Sequence, residues 1–367
     1  MRNPKERIII ALIVFSILLG LFSLIIIATD NVNLSAKSAY LYEYNSQREL
    51  FSKNANTRLP MASTTKIMTA LVALESANLS RTVKVTKESV GIEGSSIYLR
   101  AGEELTLKDL LFSLMLRSAN DAAVAIAIDV GGSLEGFVEM MNAKATELGL
   151  KNTHFDNPHG LDSENHYTTA KELALITAEA MKNPVFAEIT STYKKTVTNS
   201  QGDDRLIVNH NKLLKSYDGA LGVKTGYTKK SGRSLVGCAE RDGIRLISVT
   251  INAPDDWNDH KKMFDFGFSI LENRVITQKG ELTYQIPVMN SDKEYVTVTN
   301  ETNFSVITEK SSGEITKEIK LPRYLIAPIS TDVPVGEVIY SQDGKIIGKI
   351  NLYAKSSAYK AKRGLFK

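Results

Sequence analysis

Pro60-Met61-Ala62-Ser63-Thr64-Thr65-Lys66-Ile67-Met68-Thr69-Ala70-Leu71-Val72-Ala73-Leu74 is the stretch on which the reading of this chain turns. From Ile67 onward it is almost wholly apolar, the pattern of a helix buried inside a domain. A helical stretch is expected over residues 63–77, set in the middle of the fold. A serine in the first turn of such a helix has Lys66 at i+3 on the same face, within reach of its hydroxyl. Lysine can act as a base only where burial or a neighbouring cation holds it neutral. The tetrad Ser63-Thr64-Thr65-Lys66 is therefore laid out for serine acyl transfer without histidine. Spacing alone is weak, because Ser-x-x-Lys recurs from Ser191 to Lys194 and from Ser357 to Lys360.

Working outward, the expected organisation is strands, then helices, then strands. Ala39-Tyr40-Leu41-Tyr42-Glu43-Tyr44 alternates with period two, and Asn45-Ser46-Gln47 turns it into a second strand around Glu49-Leu50-Phe51. Helices are expected over residues 107–115, 121–129, 136–148 and 169–181, the last opening with a Thr169/Glu172 capping box. From Leu221 the pattern returns to strands, at Leu221-Gly222-Val223-Lys224, residues 234–239 and residues 244–251. Arg241-Asp242-Gly243 is a hairpin signal between the last two. Residues 259–272 are amphipathic and helical. The fold class is α+β, an antiparallel sheet flanked by a helical cluster. Beyond residue 275, short alternating strands separated by Asn, Ser, Gly and Pro imply a small all-β domain.

The ends set the compartment. Arg2, Lys5 and Arg7 precede an uncharged apolar run over residues 8–28, long enough at about 1.5 Å per residue to cross roughly 30 Å of hydrocarbon. A cleaved secretory signal is the competing reading, but its apolar core is usually about 7–15 residues long. The expected layout is a cytoplasmic tail (1–7), a transmembrane anchor or uncleaved signal (8–28) and a polar linker (29–38). A catalytic domain (39–274), a C-terminal β domain (275–355) and a basic tail (356–367) follow. The basic flank places the N-terminus inside and the working domain outside.

Composition excludes other chemistries. The chain has 367 residues, 43% of them hydrophobic and 23% charged, which suits a large globular core. A net charge of +4 is too small and dispersed to argue for nucleic acid. One cysteine, Cys238, allows no internal disulfide and no thiolate cluster, and the five histidines include no His-Glu-x-x-His spacing. No metal or cofactor is implied.

Two later segments complete a constellation. Ser118-Ala119-Asn120 falls in the joint between two expected helices, where it can supply a hydroxyl for proton relay and an amide for a substrate backbone. Lys224-Thr225-Gly226 follows an apolar strand lead-in, where the backbone can run antiparallel to a bound peptide and glycine removes a blocking side chain. Ser-x-Asn also occurs at Ser52, Ser76 and Ser163, and Lys230-Ser231-Gly232 is a decoy in turn-like surroundings. The three elements in this order carry more weight than any one.

These segments, with Gly94-Ser95-Ser96-Ile97-Tyr98-Leu99, Asn157-Pro158-His159-Gly160-Leu161-Asp162 and His166-Tyr167-Thr168-Thr169-Ala170, resemble the motifs of the low-molecular-weight penicillin-binding proteins, the serine-type D-alanyl-D-alanine carboxypeptidases. The resemblance covers residues 37–273 and continues more loosely through the C-terminal domain. It implies a penicillin-binding/β-lactamase-like transpeptidase fold. It also implies a peptidoglycan stem peptide ending in D-Ala-D-Ala as substrate, and β-lactams as covalent inhibitors. By the same resemblance Ser63 forms the acyl-enzyme and Lys66 takes its proton. Ser118 relays a proton to the leaving D-alanine and Asn120 holds the peptide. Lys224 and Thr225 bind the terminal carboxylate beside Gly226, and the backbone N–H groups of Ser63 and Tyr227 form the oxyanion hole. Tyr227 stands where some members carry histidine. Members of the family often end in an amphipathic helix that lies on the membrane; no such pattern is read up to Lys367, and the expectation is that residues 8–28 provide the membrane attachment. Two rivals share the scaffold: a class A-like β-lactamase, which needs a Glu-x-x-Leu-Asn segment not found between Ser118 and Lys224, and a catalytically silent cell-wall binding protein.

Overall fold

The computed structural model describes residues 32–361. The expected tail at 1–7 and the anchor or signal at 8–28 lie outside the described residues. Among the described residues no helix is long and apolar enough to cross a membrane.

Five antiparallel strands form the central sheet: β1 (Ser38–Glu43), β2 (Arg48–Lys53), β7 (Ala220–Thr228), β8 (Gly232–Arg241) and β9 (Ile244–Ile251), in the order β2-β1-β9-β8-β7. Every residue of β1 is buried because both faces of the sheet are covered. Tyr40 and Tyr42 point into the core shared with the helical cluster, while Ala39 and Leu41 point into a second core built on Met263 and Phe264. Period two thus divides one short strand between two cores. The expected hairpin forms with Arg241 opposite Ile244, and its two turn residues, Asp242 (φ 52°) and Gly243 (φ 76°), both have positive φ. That is the signature of the primed turns that match strand twist.

On one side lie α1 (Lys66–Ser76), α2 (Leu107–Leu116), α3 (Asn120–Gly131), α4 (Leu134–Glu147), α5 (Ala170–Ala180) and α6 (Pro184–Ser191). The single turn α7 (Leu213–Ser216) precedes β7, and α8 (Asp256–Ile270) covers the sheet's other face. Two small antiparallel pairs went unforeseen: β3 (Thr82–Lys84) with β4 (Glu104–Thr106), and β5 (Lys194–Thr198) with β6 (Asp204–Val208).

Several expectations are corrected. Residues 32–37 are not a linker: Leu34 and Ala36 are buried. The Asp259 carboxylate accepts the N–H groups of Ser35 and Ala36 at 2.9 Å, tying the segment to α8. Half of the capping box is formed. The Thr169 hydroxyl caps α5 through the N–H of Glu172, but the Glu172 carboxylate takes the N–H groups of Lys151 and Asn152 and the Thr153 hydroxyl instead of turning back. The boundary expected at 274/275 falls inside β10 (Leu271–Thr277), which leaves α8 directly and pairs with β13 (Phe304–Glu309). Neither glycine nor proline marks that switch.

The remaining strands, β11 (Thr283–Met289), β12 (Tyr295–Asn300), β14 (Ile315–Lys320), β15 (Leu325–Ile326), β16 (Pro334–Gln342) and β17 (Lys345–Ala354), make a six-stranded sheet in the order β14-β16-β17-β12-β11-β15. Its own core holds Val298, Val338, Tyr340 and Leu352. The segment expected as a basic tail pairs back onto this domain through Ala358 and Lys360, opposite Ile329 and Ser291.

Candidate active site

Ala62–Thr65 forms a 3-10 turn that runs directly into α1, so Ser63 stands just before the α-helix and not in its first turn as expected. The cause is local. The hydroxyls of Thr64 and Thr65 donate to the carbonyls of Met61 and Ala62 at 2.6 and 2.8 Å, a side-chain competition that tightens the backbone. In a 3-10 turn residues i and i+3 eclipse, which sets Lys66 in line with Ser63. Of the four residues in the turn, only Ser63 reaches solvent.

Lys66 is fully buried, and its Nζ lies 3.0 Å from Ser63 Oγ, 2.6 Å from Asn120 Oδ1 and 2.5 Å from the His159 carbonyl. Asn120 Nδ2 donates to the Glu93 carbonyl, which fixes the amide so that its oxygen faces the lysine. Burial, and then the positive charge of Lys224, lower the Lys66 pKa well below its ordinary value; Asp121 opposes them. A neutral amine has two N–H donors and one lone pair. Asn120 Oδ1 and the His159 carbonyl can only accept, so they take both N–H groups and leave the lone pair for the Ser63 hydroxyl.

Two loops hold this arrangement, and sequence reasoning assigned neither a role. The Asp121 carboxylate at the start of α3 accepts the Leu99 N–H at 3.0 Å and the Ser96 hydroxyl at 2.6 Å. The Asn120 N–H donates to the Ser95 carbonyl at 2.7 Å, pinning residues 93–99 beside the lysine. On the other side, Gly160 (φ 90°) presses against the nucleophile's turn: a Cβ there would sit 2.0 Å from the Ala62 carbonyl oxygen. His166 braces the same turn. Its Nδ1 accepts the Asp156 N–H, so the ring proton is on Nε2 and is donated to Thr65 Oγ1 at 2.7 Å. Burial lowers the His166 pKa to about 4, keeping the ring neutral. The stretches 94–99 and 157–162 had stood out in the sequence, but a backbone carbonyl acting as a ligand leaves no side-chain signature.

Ser118 occupies the α2–α3 joint in the left-handed region (φ 63°) and is buried to 5% exposure. Lys224 on the edge strand β7 is also buried, and its Nζ donates to the Thr225 carbonyl at 2.9 Å. Burial lowers its pKa to about 7. A Cβ on Gly226 would meet the backbone nitrogens of Ser63 and Thr64 at 3.1 and 3.2 Å, so β7 lies against the nucleophile's turn. The Thr228 N–H turns inward to the Ser231 hydroxyl. By strand alternation the Tyr227 N–H faces the open edge. Ser63, Ser118, Thr225, Gly226 and Tyr227 line one cavity of about 380 Å³. The other Ser-x-x-Lys pairs are elsewhere, and both Lys194 and Lys360 are exposed.

Comparison with known proteins gives the family. The family profile described as D-alanyl-D-alanine carboxypeptidase matches residues 26–255, and that of the penicillin-binding protein 5 C-terminal domain matches residues 271–360. The chain is 35% identical over 343 residues to the D-alanyl-D-alanine carboxypeptidase DacF of Bacillus subtilis, covering 91% of this chain and 88% of that one. It is 31% identical to DacA of Escherichia coli, over 86% of this chain and 81% of the relative. Penicillin binding protein 5 from Haemophilus influenzae superposes with a TM-score of 0.66 at 29% identity, covering 89% of this chain and 98% of that structure.

Proposed function

Because the chain belongs to the D-alanyl-D-alanine carboxypeptidase family, we infer that it is a serine hydrolase that removes the terminal D-alanine from peptidoglycan stem peptides and is acylated by penicillins. Ser63 Oγ attacks the carbonyl carbon of the penultimate D-alanine while its proton passes to Lys66 Nζ. The N–H groups of Ser63 and Tyr227 hold the oxyanion; one such donor is worth about 2.7–4 kcal/mol of transition-state stabilisation. Lys66 returns the proton through Ser118 to the leaving amine, the C–N bond breaks, and D-alanine departs. Water, activated by the same amine, then hydrolyses the ester. Asn120 holds the substrate backbone, and Lys224 and Thr225 bind the terminal carboxylate. The observation that carries this reading is the buried Lys66, whose Nζ lies within 3.0 Å of Ser63 Oγ and is held there by Asn120 Oδ1 and the His159 carbonyl.

A β-lactamase reading needs a carboxylate to activate the deacylating water. Among the described residues no carboxylate is hydrogen-bonded to Ser63 or Lys66, and Asp256, in the cavity wall, is ion-paired to Arg233 at 2.8 Å. The catalytic domain works outside the cytoplasm on the cell wall, and the apolar run at 8–28, with its basic flank, anchors it as a single span. Labelled penicillin followed by denaturing electrophoresis tests the activity. A stable adduct together with D-alanine release supports the carboxypeptidase. Rapid turnover of the label would mean a lactamase, and no adduct a silent binding protein.

A further inference from the structure

A second groove, of about 390 Å³, opens beside the cavity and is lined by Arg100, Arg117 and Arg205 together with Tyr98 and residues 206–208. The two depressions share a wall made of consecutive residues. Ser95 and Ser118 line the cavity, while their neighbours Ser96 and Arg117 line the groove. Arg117 also links them directly: its Nη1 donates to Nε2 of His210, which lines the cavity, at 2.9 Å. As an acceptor on Nε2, that imidazole is neutral, so Arg117 keeps its whole charge.

The three cations are not equally available. Arg205 is committed to the buried Glu103, whose carboxylate accepts from both Nη1 and Nη2. Arg100 lies 3.9 Å from Asp203 with 77% of its side chain exposed. Arg117 is exposed and forms no salt bridge among the described residues. Among the described residues no carboxylate lines the groove, and Tyr98 and Leu206 stand 79% and 65% exposed on its walls. A guanidinium fork beside apolar walls suits a carboxylate carried on a peptide.

Resting on the carboxypeptidase reading, we propose that this groove binds a second carboxylate of the peptide being trimmed, upstream of the two terminal D-alanines, with Arg117 as its main partner and Arg100 as an auxiliary. Lys224 and Thr225 fix the end of the chain, and the groove then selects stem peptides that keep a free acid over those in which it is amidated.

The test uses the full-length enzyme and acetylated peptides ending in D-Ala-D-Ala. Each carries one glutamate, or glutamine in its place, at the first, second or third position upstream. At one of these positions kcat/KM should favour the acid at least fivefold. Arg117→Gln should reduce that ratio below twofold, and Arg100→Gln should lower it less. Ratios within twofold at all three positions in the wild type overturn the proposal. A preference that survives Arg117→Gln but vanishes in salt also overturns it, because it would come from long-range attraction alone. Failure of the carboxypeptidase reading looks different: no peptide releases D-alanine and penicillin leaves no adduct, which removes both.

Discussion

Two lysines that are both buried and both lowered in pKa give the site its pH behaviour. Lys66 works neutral, so activity rises with pH as its ammonium is lost. Lys224 binds carboxylate as an ammonium, and with a pKa of about 7 in the free enzyme it loses that charge as pH rises. The profile of kcat/KM should therefore be bell-shaped, while kcat stays high further into the alkaline range, because a bound carboxylate raises the Lys224 pKa. A profile that falls from pH 5 upward would contradict the Lys66 assignment, and one that rises without a falling limb would contradict the Lys224 assignment. Lys66→Arg should lose nearly all acylation, since a guanidinium keeps its proton. Amidating the terminal D-alanine should cost at least about tenfold in kcat/KM, and Lys224→Gln should erase most of that difference. Equal cleavage of free and amidated peptides would make the enzyme an endopeptidase. Stability has its own sign. The unfolded lysine titrates near 10.4, so the unfolded chain binds more protons between about 7 and 10.4 and stability rises across that window.

At the scale of elements, the nucleophile's turn is shaped from outside as much as from its own sequence. Gly160→Ala must displace either the 157–162 loop or the Ala62 carbonyl, and its φ of 90° is unfavourable for alanine. The variant should lose about 1–3 kcal/mol of stability and most of its acylation rate. Unchanged acylation would mean that this contact does not position Ser63. Thr169→Ala removes a cap from α5 and should cost about 1 kcal/mol in denaturant midpoint measurements, with kcat intact. What the sequence showed follows the same division. Helix α1, the central hairpins and the strand bearing Lys224 were legible because apolar period and turn residues are local signals. The 3-10 form of Ala62–Thr65 was not, since hydroxyl competition and the pressure of Gly160 are tertiary. Strands β5 and β6 were missed because their residues are mostly exposed and carry almost no alternating apolar face.

For the whole molecule, the catalytic domain reaches back to residue 32 and closes on itself through Asp259, while the β domain keeps a separate core. A chain beginning at Asn31 should be soluble and should still be labelled by penicillin. One beginning at Ser38 loses Leu34 and the Ser35–Asp259 bonds and should melt lower. Protein recovered from membranes should retain its original N-terminus; a mature chain starting just after Ala28 would mean a cleaved signal. The most direct measurement for the central claim is the mass of the tryptic peptide spanning residues 59–66 after incubation with penicillin. It should carry one penicilloyl group, absent in Ser63→Ala, and an adduct found instead on the segment holding Ser118, Ser191 or Ser357 would contradict the assignment of Ser63 as nucleophile.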